Sequence, residues 1–230
     1  MIIDTHCHYD IMPSPEIYIQ EVEQRGDCVI GMTNLPRHFV VGRGFVSSYR
    51  HVRLALGFHP QLVANNLNQL TVFKENIDNT SYIGEIGLDF SKDYIETKDT
   101  QIKSLDQILG YLENKRKIIS VHSRGAEIET LSLLRKHNIR NVIFHWYSGS
   151  PELVPAILNC GYYFSINEAM TRSASGRRII ECVPSDRILT ESDAPYNIRN
   201  SIKNALNNMG ISEQIVEANF KSLLKNISSK

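Results

Sequence analysis

The chain has 230 residues, of which 42% are hydrophobic, and its 25 Lys and Arg residues balance its 25 Asp and Glu residues. This length suits one large α/β domain, so we expect residues 1–230 to form a single domain. A formal net charge of zero excludes a protein-wide field that attracts nucleic acid or membrane. Any polyanion must therefore bind through a local patch or through a metal ion.

Cysteine usage and hydropathy are typical of a cytoplasmic protein. The chain shows no CxxC pairing, and its cysteines lie mostly in or beside apolar runs, as small core residues do in a reducing compartment. They are Cys7, Cys28, Cys160 and Cys182. Because no apolar run approaches the length of a membrane span and no charged leader is visible, we expect neither secretion nor a membrane partner.

Short apolar, β-branched runs recur along the chain and predict strands. Their starts are 20 to 36 residues apart, which is about one βα unit each. The eight runs are Ile2–Ile3, Cys28–Met32, Val52–Leu56, Tyr82–Ile83, Ile118–Val121, Val142–Phe144, Tyr162–Ile166 and Ile188–Leu189.

Helical periodicity fills the intervals between these runs. It predicts helices over Pro15–Arg25, Gln101–Lys115 and Ala126–His137, and a last helix from an N-cap at Ser212 to Lys225. Eight strands alternating with helices in one domain are typical of a (β/α)8 TIM barrel. The alternative is a doubly wound open sheet, which would bind its ligand at a switch point of the strand order.

The first predicted strand ends in Asp4-Thr5-His6-Cys7-His8. Residues two apart on a strand point to one face, so His6 and His8 would project together while Cys7 faces into packing. Two imidazoles on one face are suited to gripping a metal ion. The alternative is a buried strand with two polar residues, one of them hydrogen-bonded to a carbonyl.

Other predicted strands also end in histidines or acids. In a barrel of this type, function lies at the carboxyl ends of the strands. The candidates there are His59, Glu85, His122, His145 and Asp193. Five of the eight histidines lie at such ends, and the other three are expected on the surface or in loops. A buried carboxylate such as Glu85 requires compensation, for which metal ions are a common source.

Six candidate ligands are too many for one four-coordinate ion with an open position, so the sequence predicts two ions. One could take His6, His8, Glu85 and Asp193, and the other Glu85, His122 and His145, with Glu85 as the bridge. Two ions suit hydrolysis of a phosphoester or an amide. The mixed nitrogen and oxygen donors do not choose between Mg, Mn and Zn.

The ordered set of strand-end motifs resembles the TatD family of metal-dependent DNases, within the amidohydrolase superfamily. The motifs are Asp4-Thr5-His6-Cys7-His8, Gly57-Phe58-His59-Pro60, Gly84-Glu85-Ile86-Gly87-Leu88-Asp89, Val121-His122-Ser123-Arg124, His145-Trp146-Tyr147-Ser148-Gly149 and Glu191-Ser192-Asp193-Ala194-Pro195. The resemblance implies a TIM barrel with a dinuclear site that cleaves DNA as a 3′→5′ exonuclease or an endonuclease. It implies catalytic roles for Glu85 and for Asp193, which would orient the attacking water, and phosphate contacts for His59 and Arg124.

A narrower likeness links the chain to the TatD-like nuclease component of the Qat anti-phage defence systems. It rests on the short length and on Met12-Pro13-Ser14-Pro15, His59-Pro60-Gln61-Leu62 and His145-Trp146-Tyr147-Ser148-Gly149-Ser150. The likeness implies a bacterial, cytoplasmic protein that works with other components of such a system.

Two loops that border the substrate groove in the family depart from its pattern. The segment after the Asp-x-Pro motif is short and offers only Asn197-Ile198-Arg199-Asn200, and the loop after Asp89 continues as Phe90-Ser91-Lys92. The metal-binding motifs are intact, and we expect substrate choice to differ from that of the family at these two loops. Near the seventh strand, Arg172, Arg177 and Arg178 form either a phosphate-binding track or a solvated helix start.

Two alternatives to a DNase stay open on the sequence. One is a metal-dependent amidohydrolase or deacylase that acts on an amide, an ester or an amino-acylated nucleic acid. Glu85 at the fourth strand, where that branch uses a carbamylated lysine, favours the TatD branch. The other is a non-catalytic subunit of a defence complex that binds metal for stability.

Overall fold

The structure is a computed structural model that describes residues 1–196 and 201–228. Within these residues, eight short strands alternate with helices along the chain. The strands are β1 (Ile3–Cys7), β2 (Cys28–Gly31), β3 (Val52–Leu54), β4 (Tyr82–Gly87), β5 (Ile118–His122), β6 (Val142–His145), β7 (Tyr163–Ile166) and β8 (Ile188–Thr190). β1 and β4 run further than predicted, so that His6 and Glu85 lie inside strands and not after them.

The helices between the strands include each one that the sequence predicts. They are α1 (Pro15–Arg25), α2 (Pro36–Val46), α3 (Pro60–Val63), α4 (Gln69–Asn76), α5 (Lys98–Leu112), α6 (Glu127–Lys136), α7 (Val154–Leu158), α8 (Glu168–Arg172), α9 (Ala174–Glu181), α10 (Ile202–Met209) and α11 (Glu213–Ser228). In the described part of the chain, no helix has the length and apolarity that a membrane crossing requires.

All of the strand pairs are parallel, and the sheet closes on itself. Strands β1 to β3 pair in order, as do β4 to β8. Leu56 joins the two sets, because its N–H donates to the Tyr82 carbonyl (3.0 Å) and its carbonyl accepts from the Gly84 N–H (2.9 Å). The barrel also closes between β8 and β1, where the N–H of Asp193, just after β8, donates to the His6 carbonyl (2.9 Å). The (β/α)8 barrel is confirmed, and the open-sheet alternative is wrong because β8 returns to β1.

The amino-terminal end of the barrel is covered by α11. The Asn219 amide donates to the carbonyls of Ser185 and Ile188, which directly precede and begin β8. Apolar side chains of this helix, including Val216, Phe220 and Leu223, are buried. The opposite end, where the strands terminate, is the end at which this fold usually carries its functional site.

Candidate metal centre

A cavity of about 530 Å³ opens at the carboxyl ends of the strands. We call it the mouth cavity. Seven of the nine site residues predicted from the sequence line it. They are His8, His59, Glu85, His122, Arg124, His145 and Asp193. His6 lies beneath this surface and is fully buried.

The two histidines of the first strand lie on one side of it, as the alternation predicts. Their Nε2 atoms are 3.2 Å apart. Cys7, between them, points into the core and is fully buried. The Asp4 carboxylate accepts hydrogen bonds from the His6 N–H and from both the N–H and the hydroxyl of Ser192. Asp4 thereby fixes the end of β1 against the segment that carries Asp193.

Glu85 occupies the centre of the cluster and is 2% exposed. Its Oε1 lies 2.7 Å from His122 Nδ1 and 2.9 Å from His145 Nε2. Its Oε2 lies 3.3 Å from the Nε2 of both His8 and His59, and 3.5 Å from that of His6. One carboxylate therefore presents each of its oxygens to a different group of imidazoles.

Close backbone packing brings β4 within reach of its neighbours at this point. A Cβ on Gly57 would lie 1.7 Å from the Thr33 carbonyl oxygen and 2.7 Å from the Glu85 nitrogen. Only glycine fits there, because any larger residue would push β3 away from β2 and β4. The Gly57-x-His59 spacing thus places His59 beside Glu85.

The β5 and β6 imidazoles each have a second carboxylate behind them. His122 Nε2 is 3.0 Å from Asp89 Oδ2, and His145 Nδ1 is 3.4 Å from Glu191 Oε2. Burial lowers the pKa of both rings, but the surrounding carboxylates outweigh it. The net effect raises the pKa of His122 and raises that of His145 well above its usual value.

The environment of the β1 histidines differs. Burial, reinforced by the charge of His145, lowers the pKa of His6 well below its usual value. Its Nδ1 lies 2.8 Å from the Ser120 hydroxyl and not beside an acid. The lowered pKa favours the neutral imidazole at His6, which is the form that binds metal ions.

Asp193 faces the same two imidazoles from the segment that follows β8. Its Oδ1 is 3.8 Å from the Nε2 atoms of both His6 and His8. Burial raises the pKa of Asp193 to about 7. Its φ of 52° is left-handed, as is the 36° of Trp146, and backbone strain of this kind is found at functional sites.

Three groups of side chains have ligand atoms within 4.8 Å of one another and could hold metal ions. They are His6, His8 and Asp193; His6, Glu85 and His145; and His59, Glu85 and His122. The structure brings together all six ligands that the sequence predicts. His59, for which the resemblance implied a phosphate contact, also lies in one of these groups and is a further candidate metal ligand.

The predicted phosphate-binding arginines are placed differently from each other. Arg124 lines the mouth cavity from the loop after β5. The guanidinium of Arg172 pairs with Glu168, one helical turn earlier. Arg172 is not among the described residues that line the mouth cavity. Arg177 donates to the Arg172 carbonyl. The Asn197-Ile198-Arg199-Asn200 segment lies outside the described residues.

Several residues of the site were not selected from the sequence. Asp89 and Glu191 lie inside recognised motifs, but nothing in the sequence paired them with particular histidines. Trp146 and Tyr196 line the mouth cavity, where the Tyr196 ring packs edge-on against His8 and its hydroxyl accepts from Asn34. The position of Trp146 directly after His145 was an available signal, whereas Tyr196 has no histidine beside it in the sequence.

The fold and its donor set together define a (β/α)8 barrel with a metal-binding site at the carboxyl ends of its strands. The family model described as TatD related DNase matches residues 3–227. The chain therefore belongs to the TatD related DNase family.

Individual proteins are similar to this chain in sequence or in fold. The chain is 27% identical over 208 residues to an uncharacterized metal-dependent hydrolase of Buchnera aphidicola, a match that covers 85% of this chain and 78% of the relative. It is 26% identical over 172 residues to the human deoxyribonuclease TATDN3, covering 68% of this chain and 63% of that protein. The structure of YJJV, a TatD homologue of Escherichia coli, aligns with a TM-score of 0.83 at 20% identity over 98% of this chain and 97% of YJJV.

Proposed function

We propose that this chain is a metal-dependent deoxyribonuclease that cleaves phosphodiester bonds with water activated by two divalent metal ions. The observation that carries the proposal is the position of Glu85, whose two oxygens face separate imidazole groups. A carboxylate in this position can serve as a ligand to two ions at once.

The buried donors fit such ions. We define the β1/β8 subsite as His6, His8 and Asp193, and the β5/β6 subsite as His122 and His145, with Glu85 shared between them. In this cluster the Nε2 atoms of His6 and His8 lie 3.2 Å apart, close enough for one cation to bind both. His59, 3.3 Å from Glu85 Oε2, is a further candidate ligand to the shared side. The nitrogen and oxygen donors accept Mg, Mn or Zn.

Paired divalent ions, when bound, lower the pKa of water and stabilise the charge that develops on a phosphate. The protein residues supply orientation and proton transfer. Asp193 borders the mouth cavity, and its raised pKa suits a group that accepts a proton from the attacking water near neutral pH. Arg124 at the rim is placed to hold a phosphate of the substrate.

DNA is the proposed substrate because of family membership and because a neutral protein can still recruit a polyanion through metal and a local arginine. The human relative carries the name deoxyribonuclease. The short segment after Asp193 and the loop at Phe90-Ser91-Lys92 depart from the usual family pattern. At these two loops we expect the preference for DNA length, or for single- or double-stranded DNA, to differ from that of the family.

The motifs shared with the nuclease component of Qat systems support a finer proposal. In it the chain acts in the bacterial cytoplasm, in anti-phage defence, beside the other components of the system. The test is a phage challenge of cells that carry the whole system. Glu85→Ala in this chain is expected to remove protection, and undiminished protection would contradict the proposal.

The nuclease proposal is tested with purified protein on single- and double-stranded DNA in the presence of Mg²⁺ or Mn²⁺. Cleavage is expected for the wild type and to disappear with chelator and in Glu85→Ala. Glu75→Ala, an exposed glutamate of α4, is the matched control and should cleave normally. Equal cleavage by Glu85→Ala would contradict the two-metal mechanism. Hydrolysis of amides or esters alone, still sensitive to Glu85→Ala, would favour the amidohydrolase alternative.

A further inference from the structure

A groove separates α1 from α2 on the outer surface of the barrel, beside the turn of residues Tyr9–Ile11 that follows β1. Its volume is about 370 Å³. Ile19 of α1, Leu54 of β3 and Gly42 of α2 line it. A Cβ at position 42 would lie 2.9 Å from Leu54 Cδ2, so a side chain there would displace Leu54 in the groove lining.

An apolar ridge stands beside this groove. Val41 and Phe45, one turn apart on α2, are 70% and 62% exposed, and both line the groove. Ile11, at the end of the turn after β1, adds a third apolar side chain that is 42% exposed. Single exposed apolar residues are ordinary, but a contiguous group around a groove is typical of an interaction surface.

The charges on the two rims of the groove have opposite signs. Glu16 lies on the α1 rim and Arg37 on the α2 rim. The cations of α2 are Arg37 and Arg43, and this helix has no acid. Elsewhere on α1, Arg25 pairs with Glu21, whereas neither Glu16 nor Arg37 has an ion-pair partner in residues 1–196 and 201–228. The two rims are thus complementary to each other but not paired within one chain.

We propose that this surface binds a second copy of the same chain. A two-fold axis places identical patches face to face, so a stable interface must be complementary to itself. A ridge next to a groove meets this condition, because the Phe45 side chain of each copy enters the groove of the other. The opposite rim charges meet it as well, because Glu16 of one copy then faces Arg37 of the second copy.

The first test is the molar mass of the full chain from low to high micromolar concentration, by sedimentation velocity and by light scattering after size exclusion. A dimer is expected for the wild type. Phe45→Lys should weaken dimerisation by about 100-fold or more, because it places an unpaired ammonium at the centre of the interface. Ile128→Lys on α6 is the control, since Ile128 is 69% exposed and lies outside the groove lining, and it should dimerise normally.

A monomeric wild type at all concentrations would overturn the proposal and assign the groove to a different occupant. So would a Phe45→Lys protein that dimerises as the wild type does. Thermal melts followed by circular dichroism check that each variant is folded.

The second test exchanges the rim charges. Glu16→Arg and Arg37→Glu should each weaken the dimer, because like charges then face each other across the axis. The double variant should recover most of the lost affinity, since it restores opposite charges in reversed order. A double variant as weak as the sum of both single variants would contradict the proposed pairing.

Discussion

The two sides of the candidate metal centre hold their histidines in different ways. On the β5/β6 side, His122 lies between Glu85 and Asp89 and is hydrogen-bonded to both. His145 lies between Glu85 and Glu191, although its Nδ1, 3.4 Å from Glu191 Oε2, is in ion-pair contact without a hydrogen bond among the described residues. On the β1/β8 side, His6 is held by the Ser120 hydroxyl, and the Nδ1 of His8 has no hydrogen-bond partner among the described residues.

This difference in partners changes the chemistry of the ligands. Carboxylates raise the pKa of His122 and His145 despite burial, whereas burial lowers that of His6. A carboxylate behind an imidazole orients the ring and raises its basicity as a metal ligand. We therefore expect the β5/β6 subsite to depend on Asp89 and Glu191, and the β1/β8 subsite to depend on Asp193.

The largest expected effect is that of Asp193→Asn. The change should lower the rate of DNA cleavage by roughly 10²- to 10⁴-fold, because it removes the proposed proton acceptor. Metal bound at the β5/β6 subsite should remain, as measured by elemental analysis of the dialysed protein. Asp186→Asn, an exposed aspartate before β8, is the control. Cleavage by Asp193→Asn within a few-fold of the wild type would remove Asp193 from the mechanism.

Asp89→Asn separates the two sides most clearly. Loss of the carboxylate behind His122 should weaken metal binding at the β5/β6 subsite by about 10- to 100-fold and leave the other subsite nearly unchanged. Isothermal titration calorimetry with Mn²⁺ or Zn²⁺ measures the metal affinity of both subsites. Asp106→Asn is a matched control, because Asp106 also contacts a histidine, His137 Nε2 at 2.7 Å, but far from the mouth cavity. Equal loss at both subsites would contradict the division of the centre into two.

Metal affinity should also depend on pH. In the metal-free protein the raised pKa values of His122, His145 and Asp193 keep protons on these groups to higher pH than usual. Each proton must leave before its atom can bind metal, so affinity should increase between about pH 6 and pH 8. Titrations in buffers of different ionisation enthalpy count the protons released, and Asp193→Asn should release fewer near pH 7. Affinity that does not change with pH would contradict these assignments.

The smallest effect is expected for Ser120→Ala. One neutral hydrogen bond contributes about 1 kcal/mol, so metal affinity at the β1/β8 subsite should fall by about 5-fold. Ser104→Ala on α5, also a buried serine, should have no effect on either subsite. A loss as large as that of Asp89→Asn would show that the hydroxyl orients its imidazole as strongly as a carboxylate does.

The barrel and the six proposed ligands could be predicted from sequence because their positions follow from the fold. The carboxyl ends of parallel strands meet at one end of a barrel, so a residue's place at the end of its run is enough to bring it to the site. His6, Glu85 and Asp193 come from distant parts of the chain, yet this rule alone brings them together. The alternation of side chains along a strand was the one directional rule required, and it placed His6 and His8 on the same face.

Pairings that depend on side-chain direction could not be predicted in this way. The contacts of Asp89 with His122 and of Glu191 with His145 join residues from different strands at a particular register. The approach of His59 to Glu85 depends on the close packing at Gly57. The pairing of Arg172 with Glu168 is the exception, since their i, i+4 spacing on a helix was readable.

The shared role of Glu85 is tested most directly by the number of metal ions bound to wild type and to Glu85→Gln. Anomalous diffraction from Mn²⁺-soaked crystals counts the ions and locates them. Two ions flanking the Glu85 carboxylate are expected in the wild type, and at most one in Glu85→Gln, together with loss of DNA cleavage. Two ions at undiminished occupancy in Glu85→Gln, or a wild type that binds both away from Glu85, would contradict a two-metal centre bridged by this residue.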